Sequence, residues 1–380
     1  MNYGINKITA SIIISSLIIV AAALYLGWQY VFPPSMNKIN GITTGRLPDD
    51  TPPAANIATT NNETNQSAIS IPAQAISKNQ TTHYWINRTS DEILYFDLDG
   101  FLHQLSADSQ DIKLNLSAVK NLHDVKPSND GTKAIISFGY PAQTSFVVFD
   151  ADTETYKSLP SNVNDSAWDP ISGNRLTFAR KDLNDTVVGL LNVSDQKITN
   201  IIRLSQPDLK IDWPLPQEIY LSSKPSAMHR ESLWSVNINT GAINNIINDV
   251  PGLMVKWSPN GQKGLIFTGN GINNFFGLIN NKAEVLIDWV SITLPNKCTL
   301  GNDKGYCAIP RDIKPGTILP DDYLKRSASF NDNIYELDFN TAKITSVLDS
   351  IDIDADQLSF DKNSLFFINR LDNLLYKLNL

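Results

Sequence analysis

Charge is what this sequence has least of. Only 18% of its 380 residues are Asp, Glu, Lys or Arg, below the quarter usual in soluble proteins. The 31 Lys and Arg residues are scattered and outnumbered by 39 Asp and Glu, for a net charge of -8. Binding a nucleic acid needs clustered cations that displace counterions from phosphates, so no nucleic-acid partner is expected. Cysteine is nearly missing: there are two, Cys298 and Cys307. That excludes a disulfide-dense scaffold and, with no third or fourth ligand beside them, a zinc site. No G-x-S-x-G elbow, P-loop or G-x-G-x-x-G occurs, so no standard catalytic or nucleotide motif is present and no cofactor is implied. The four histidines, His83, His103, His123 and His229, share no motif spacing and read as surface or loop residues.

One long stretch lacks charge altogether. Ile8 to Phe32 carries no ionisable side chain except the neutral Tyr25 and Tyr30, and Ile, Leu, Val and Ala dominate residues 12–26. About 20 apolar residues span a bilayer as a helix, so residues 8–32 are expected to form a transmembrane anchor behind a short tail, 1–7. Trp28 and Tyr30 stand where aromatic rings favour the headgroup region. The competing reading is a cleaved signal peptide, since Ala21, Ala22 and Ala23 offer small residues; the apolar run, however, continues past them. Basic residues flank the span evenly, and the small N-terminal tail before a large C-terminal part places that part outside the cytoplasm.

Residues 33–66 hold no aromatic residue but five prolines and a polar run, Thr59 to Gln66. Such a segment buries too little apolar surface to offset its ordering entropy. It is expected to be a flexible linker, with an end-to-end distance of roughly 30 Å.

What the remainder has is repetition. A unit recurs in which an aromatic or apolar lead residue precedes a polar turn and a β-rich run: YWINRTSDEILYF from Tyr84, DVKPSNDGTKAIISF from Asp124, AWDPISGNRLTF from Ala167, DWPLPQEIYL from Asp212. It continues as KWSPNGQKGLIF from Lys256, KCTLGNDKGYCAI from Lys297 and QLSFDKNSLFFI from Gln357. The lead residues are Trp85, Val125, Trp168, Trp213, Trp257, Cys298 and Leu358, at gaps of 40–45 residues and a final gap of 60. Each unit then shows a further hairpin, such as SLWSVNINTGAINNI from Ser232. Four strands per period of about 40–45 residues describe a propeller blade. The expected fold is all-β: a seven-bladed β-propeller of four-stranded blades over residues 67–380, after one N-terminal transmembrane helix and a disordered linker. Trp85, Trp168, Trp213 and Trp257 are expected to pack blade against blade.

The phrase WSPNGQKGLIF, with a strand and an NTG turn after it, resembles the WD40-like propeller repeat of the TolB type, in which a W-S-P-D-G turn joins the first two strands of a blade. The resemblance runs over residues 83–380 and is closest at Lys256 to Phe267. It implies the fold and says little about function. Some propellers of this type precede a serine hydrolase domain, for which this sequence has no nucleophile motif.

Three local features complete the reading. The last unit is one strand short, and Ser67 to Ile76 (SAISIPAQAI) alternates apolar positions; it is expected to supply the outermost strand of the last blade. Cys298 and Cys307 fall on adjacent strands of one blade, within disulfide range if the register cooperates, or else serve as two buried thiols; an extracytoplasmic address favours the disulfide. The acidic run Asp349 to Asp356 has a D-x-D-x-D spacing, yet Gln357 stands where a calcium loop needs Gly and Asn363 where it needs Glu. It reads better as an inter-blade connection.

The 60-residue gap holds the insertion Ile309 to Phe330. Its residues Arg311, Asp312, Asp321, Asp322, Tyr323, Lys325 and Arg326 are the candidate binding loop, since long loops on rigid scaffolds concentrate recognition; a passive insertion across one face is the alternative. The functional expectation is a membrane-tethered, extracytoplasmic binding or scaffolding module for a protein, peptide or envelope glycan, more a binder than an enzyme. The alternative is an envelope lyase or hydrolase with its site in the central channel. A channel mouth lined by Asp, His, Arg and Tyr with perturbed pKa values would favour the enzyme; a lining of small apolar and amide side chains would favour the binder.

Overall fold

A computed structural model describes residues 73–106, 110–349 and 352–380. The expected anchor at 8–32 and linker at 33–66 lie outside the described residues. Among the described residues, no helix is long and apolar enough to cross a membrane.

The described chain forms seven antiparallel sheets of four strands each, a seven-bladed β-propeller. The innermost strands are Thr81–Asn87, Leu122–Pro127, Val163–Trp168, Lys210–Leu215, Met254–Trp257, Cys298–Leu300 and Ala355–Asp361. In most blades burial is heaviest in the middle strands and lightest in the outermost one. Second strands such as Glu92–Asp97 and Lys133–Phe138 bury four consecutive residues, because a neighbouring blade covers each face and leaves no solvent side to alternate with. The outermost strands Thr155–Ser158 and Ile198–Leu204 are mostly exposed, with no residue of either fully buried.

The core is therefore distributed between blades. One cluster joins Ile135, Phe146 and Val148 of the second blade to Trp168, Leu176 and Phe178 of the third, and similar clusters recur around the ring. Burying one such aromatic or aliphatic side chain contributes on the order of 1.5–3 kcal/mol, so removing a blade strips apolar cover from both its neighbours.

The consensus turn shows how the repeat specifies this packing. In WSPNG, Gly261 N–H donates to Ser258 O at 2.8 Å, and the Ser258 hydroxyl donates to Lys263 O at 2.8 Å. Gly261 has φ +67°, and a Cβ there would come within 2.4 Å of Pro214 O in the preceding blade. Only glycine satisfies both the left-handed backbone and the close approach. The divergent PSNDG of the second blade folds identically: Gly131 N–H donates to Ser128 O at 2.9 Å, and Ser128 Oγ to Lys133 O at 3.0 Å.

Trp85 and Trp168 reach between blades. Trp85 Nε1 donates to Gly131 O at 3.1 Å, and Trp168 Nε1 to Lys126 O at 2.7 Å. Trp213 and Trp257 are packed inside the ring as well, but their indole nitrogens have no hydrogen-bond partner among the described residues.

The ring closes with strands from both ends of the described chain. Gln74–Ala75 pairs antiparallel with Leu374–Asn379, the third strand of the last blade, and takes the outermost place in that sheet. Ile76 N–H donates to Leu375 O at 2.8 Å, and Leu375 N–H to Ser77 Oγ at 3.0 Å. Residues 67–72 of the expected closing segment lie outside the described residues.

Cys298 and Cys307 are directly opposed in register on the first two strands of the sixth blade, and their sulfurs form a disulfide. The insertion leaves this blade between its second strand, Lys304–Pro310, and its third, Asp332–Asp338.

Candidate functional site in the central channel

The innermost strands surround a cavity of about 820 Å³. Its lining is unusual in a chain so poor in charge: six Lys and Arg side chains and three Asp, together with two histidines, contribute to the wall. The placement of several of them has a local cause. Strand register shifts between Thr81 and His83, Leu122 and Asp124, Val163 and Asp165, Asp212 and Leu215, and Asp356 and Ser359. A bulge re-aims a side chain without ending the strand. Five of the seven inner strands thus bulge at an ionisable residue, and His83, Asp124, Asp212 and Asp356 line the cavity.

Two of the histidine expectations need correcting. His83 is not a loop residue but lies on the first inner strand, its Nδ1 buried without a partner. Burial pushes its imidazole below the usual range; Asp124 and Asp356 oppose that shift, and Arg326 and His123 add to it. His103 is also a buried strand residue, held between Asp97 at 3.0 Å and Asp111 at 3.2 Å. His103 takes its partners from the two strands that flank its own in the first blade, a pairing that only the folded sheet makes.

The wall has a structural half and an under-satisfied half. Lys126 Nζ contacts Asp165 Oδ1 at 2.5 Å and Ser166 O at 2.9 Å. Burial works against its charge, but Asp165, Asp124 and Asp212 outweigh it and hold the ammonium well above its ordinary range. Asp165 also accepts Ile211 N–H at 2.9 Å, so this group ties blades two, three and four together.

Lys256 has no such carboxylate in contact. Its Nζ donates to Cys298 O at 2.5 Å, and burial pushes its pKa down to about 8 against the weaker pull of Asp356 and Asp212. Burial likewise raises the Asp212 carboxyl, although Lys210 and Lys126 oppose it. Near neutral pH, this half of the channel holds an amine able to give up its proton and a carboxyl with more than ordinary basicity.

The insertion reaches this site with only part of its candidate loop. Tyr323 and Arg326 line the cavity, and Tyr323 OH donates to Asp356 Oδ1 at 2.8 Å. The other five serve the loop itself or lie at its exposed surface. Asp321 accepts Ser226 Oγ at 3.1 Å and Ala227 N–H at 2.6 Å, which fastens the insertion to the fourth blade. Asp322 accepts Ile318 N–H at 2.8 Å, Lys325 lies 3.6 Å from Asp321, and Arg311 Nε donates to Asn333 Oδ1 at 2.7 Å. Asp312 is exposed.

Beneath the insertion is a charge cluster shut off from water. Lys297 Nζ lies 2.8 Å from Asp332 Oδ2 and 2.7 Å from Asp354 Oδ1, and all three side chains are 0% exposed. Arg370 Nη1 adds a contact to Asp354 at 3.4 Å. Tyr323 and Phe330 stack with ring centroids 5.7 Å apart, over Lys297. Two aspartates of the acidic run are thus engaged: Asp354 answers Lys297 and Arg370, and Asp356 answers Tyr323. Among the described residues, no group of acidic, His or Cys side chains converges as a metal site.

Comparison with known proteins shows likenesses of fold. No family model matches the chain. No curated protein matches it either. Among solved structures, an oligogalacturonate lyase in complex with manganese is similar at a TM-score of 0.55 and 12% identity, over 80% of this chain and 89% of that one. The β-propeller domain of Cps50 (Swd1) from Myceliophteria thermophila matches at 0.54 and 9%, over 81% of this chain and 100% of that one. The tricorn protease matches at 0.54 and 9%, over 79% of this chain; the chain spans only 33% of that protein. These likenesses show the β-propeller fold. They include enzymes and a domain not named as one, so the site itself must carry the functional reading.

Proposed function

We propose that this protein is a membrane-tethered, extracytoplasmic β-propeller whose functional site is the central channel, where it binds a charged or strongly polar group of a peptide, protein or envelope glycan. The observation that carries this reading is the bulged belt of ionisable residues. Four of seven inner strands distort their ladder and set His83, Asp124, Asp212 or Asp356 on the channel wall. A channel needed only for ring packing gains nothing from such groups, whose desolvation costs free energy unless they are fully paired. A rigid wall with incompletely paired donors and acceptors is instead prepared for a ligand that completes them. The tether is supported by the uncharged run at 8–32, and the extracytoplasmic address by that run together with the Cys298–Cys307 pair.

A second reading, an envelope enzyme of the lyase or hydrolase type, is favoured by one specific observation. Lys256, with its lowered pKa, faces the same cavity as the raised carboxyl of Asp212 and the unpartnered His83. Lining of this kind is the kind that distinguishes a channel able to move protons from one that only holds a ligand.

The test is a thermal-shift screen of the purified protein against short peptides and acidic and neutral oligosaccharides. Each hit is repeated with Asp212→Asn and Lys256→Met, and with Asp312→Ala and Lys325→Ala as surface controls. The reading requires that channel variants abolish the shift and surface variants keep it; the reverse pattern would overturn it. Turnover of a hit, detected by mass spectrometry and lost in Lys256→Met, decides for the enzyme.

A further inference from the structure

Arg326 occupies a backbone position that suits glycine. It directly follows the last residues of the helical turn Asp321–Leu324, where Lys325 is the C-cap. Its φ is +57°. Arg326 N–H donates to Tyr323 O at 2.9 Å, and the next two amides, Ser327 and Ala328, donate to Asp322 O at 2.9 and 3.0 Å. This is a left-handed helix stop, usually Gly and sometimes Asn, because a side chain there crowds its own backbone. A long charged residue at such a position is a choice made for its side chain, or else an unexplained cost.

The side chain goes to the channel. Among the described non-glycine residues with positive φ, only Arg326 and Gln357 line the cavity. Gln357 is accounted for, since its Nε2 donates to Thr82 O at 3.0 Å. Among the described residues the Arg326 guanidinium has no hydrogen-bond or ion-pair partner, although its charge is felt at His83. Arg88, Lys126 and Arg370, also on the wall, are each answered by a carboxylate outside the lining: Asp361, Asp165 and Asp354.

We propose that Arg326 is a ligand-binding residue, delivered to the channel mouth by the insertion to receive an oxyanion, carboxylate or phosphate, on the molecule that enters the cavity. A guanidinium presents paired donors that match such a group in two-point contact. The left-handed stop aims it, and Asp321 and Tyr323 within the preceding helical turn fix the insertion to the fourth and seventh blades. Selection acts at the mouth: a neutral ligand of the same size leaves the guanidinium unanswered. The proposal rests on the channel being the functional site and names the chemistry that site selects.

The experiment titrates the purified full chain with glutarate and, separately, inorganic phosphate, read by calorimetry and by the imidazole signals of His83. Asp124, Asp356, His123 and Arg326 surround that ring electrostatically, and an anion that offsets Arg326 raises its pKa. Arg326→Gly should weaken anion binding by about tenfold or more and abolish the His83 shift. Its melting temperature should stay the same or rise by about 1–2 °C, since glycine suits the backbone. Arg326→Lys should keep part of the binding. The tighter of the two anions names the group. Should Arg326→Gly bind both as well as the native protein while Lys256→Met does not, Arg326 is not the receptor, although the channel remains the site. Absence of any saturable response to either anion overturns the oxyanion assignment, whatever the fate of the channel reading. A fall in stability in both Arg326 variants, with binding retained, would make the residue structural and refute its selection for a ligand.

Discussion

Replacing Lys297 with Met should be among the most destabilising single changes in this propeller, although it swaps one long unbranched side chain for another. Among the described residues, Lys297 is the only cation in contact with Asp332 and the nearer of two in contact with Asp354. Its loss leaves Asp332 buried with one backbone donor, Ala355 N–H at 2.8 Å. Asp354 keeps Arg370 and the N–H of Phe330 at 3.1 Å. Removing one partner of a buried ion pair typically costs about 3–5 kcal/mol, because the other charge stays uncompensated. With an unfolding entropy of about 2.1 cal/mol/K per residue over roughly 300 residues, that corresponds to a fall in Tm of about 5–8 °C.

The loss should depend on pH in a definite direction. In the native protein, burial already pushes the Asp332 carboxyl up to about 6 against the pull of Lys297. Without that ammonium its pKa rises further. A carboxyl whose folded pKa exceeds its unfolded value contributes stability at low pH and loses it as pH rises through the folded pKa. The deficit of Lys297→Met should therefore be smaller at pH 5 than at pH 8. Urea unfolding of native, Lys297→Met and Lys297→Met/Asp332→Asn proteins at both pH values measures this. The double variant should recover about half of the loss, since it removes the stranded charge. A single-variant cost under about 1 kcal/mol at pH 8, or no recovery in the double variant, would refute the claim that this cluster acts by charge compensation.

Other expectations can be checked on the same protein. Lys256 should react with an amine-selective reagent with a midpoint near pH 8, well below the roughly 10.4 of an ordinary lysine; labelling that follows the ordinary curve would remove the argument for proton transfer. Mass spectrometry under non-reducing conditions should find Cys298 and Cys307 joined, and Cys298→Ser/Cys307→Ser should lower stability by about 2.5 kcal/mol for a loop this short. Free thiols in material recovered from its native compartment would count against the extracytoplasmic address. The Ile76 amide, bonded to Leu375 O, should exchange as slowly as the interior of the last blade; rapid exchange would show that the ring is not closed as described.

The fold was legible because a propeller writes its packing rule once per blade. Lead residues such as Trp168 and turn glycines such as Gly261 recur at the blade period, and each has a local reason to be where it is. The insertion announced itself by breaking that period. The site was less legible, although its trace was present: DVK, DWP and KW each hold an ionisable residue just before the lead position of an inner strand. Reading these as marks of the repeat hid what they share, a place on the channel wall. The burial of His83 and His103 was not legible, because it comes from the strands around them: Asp97 and Asp111 flank His103 from the neighbouring strands, and the charges felt at His83 come from other blades. Nothing in IPRDIKPGTILPDDYLKRSASF distinguishes Arg326 from Arg311 either; only the turn geometry sends one to the cavity and the other to Asn333. The Lys297 cluster was hidden for a similar reason, since Asp332 and Asp354 join it only when two blades meet.

The seam between the first and last blades has a consequence for when the site can exist. His83 belongs to the first inner strand and Asp356 to the last, and Gln357 Nε2 donates to Thr82 O across 275 residues of sequence. Contacts at that separation form late, because so much chain must be gathered first. Before they form, the last blade lacks its outermost strand and leaves the edge of Leu374–Asn379 bare, and the channel is an open arc. The charged wall is therefore assembled by the same event that finishes folding. A partly made molecule cannot carry a partly working site, and a ligand that bridges the two sides of the seam would act as a clasp on the closed ring.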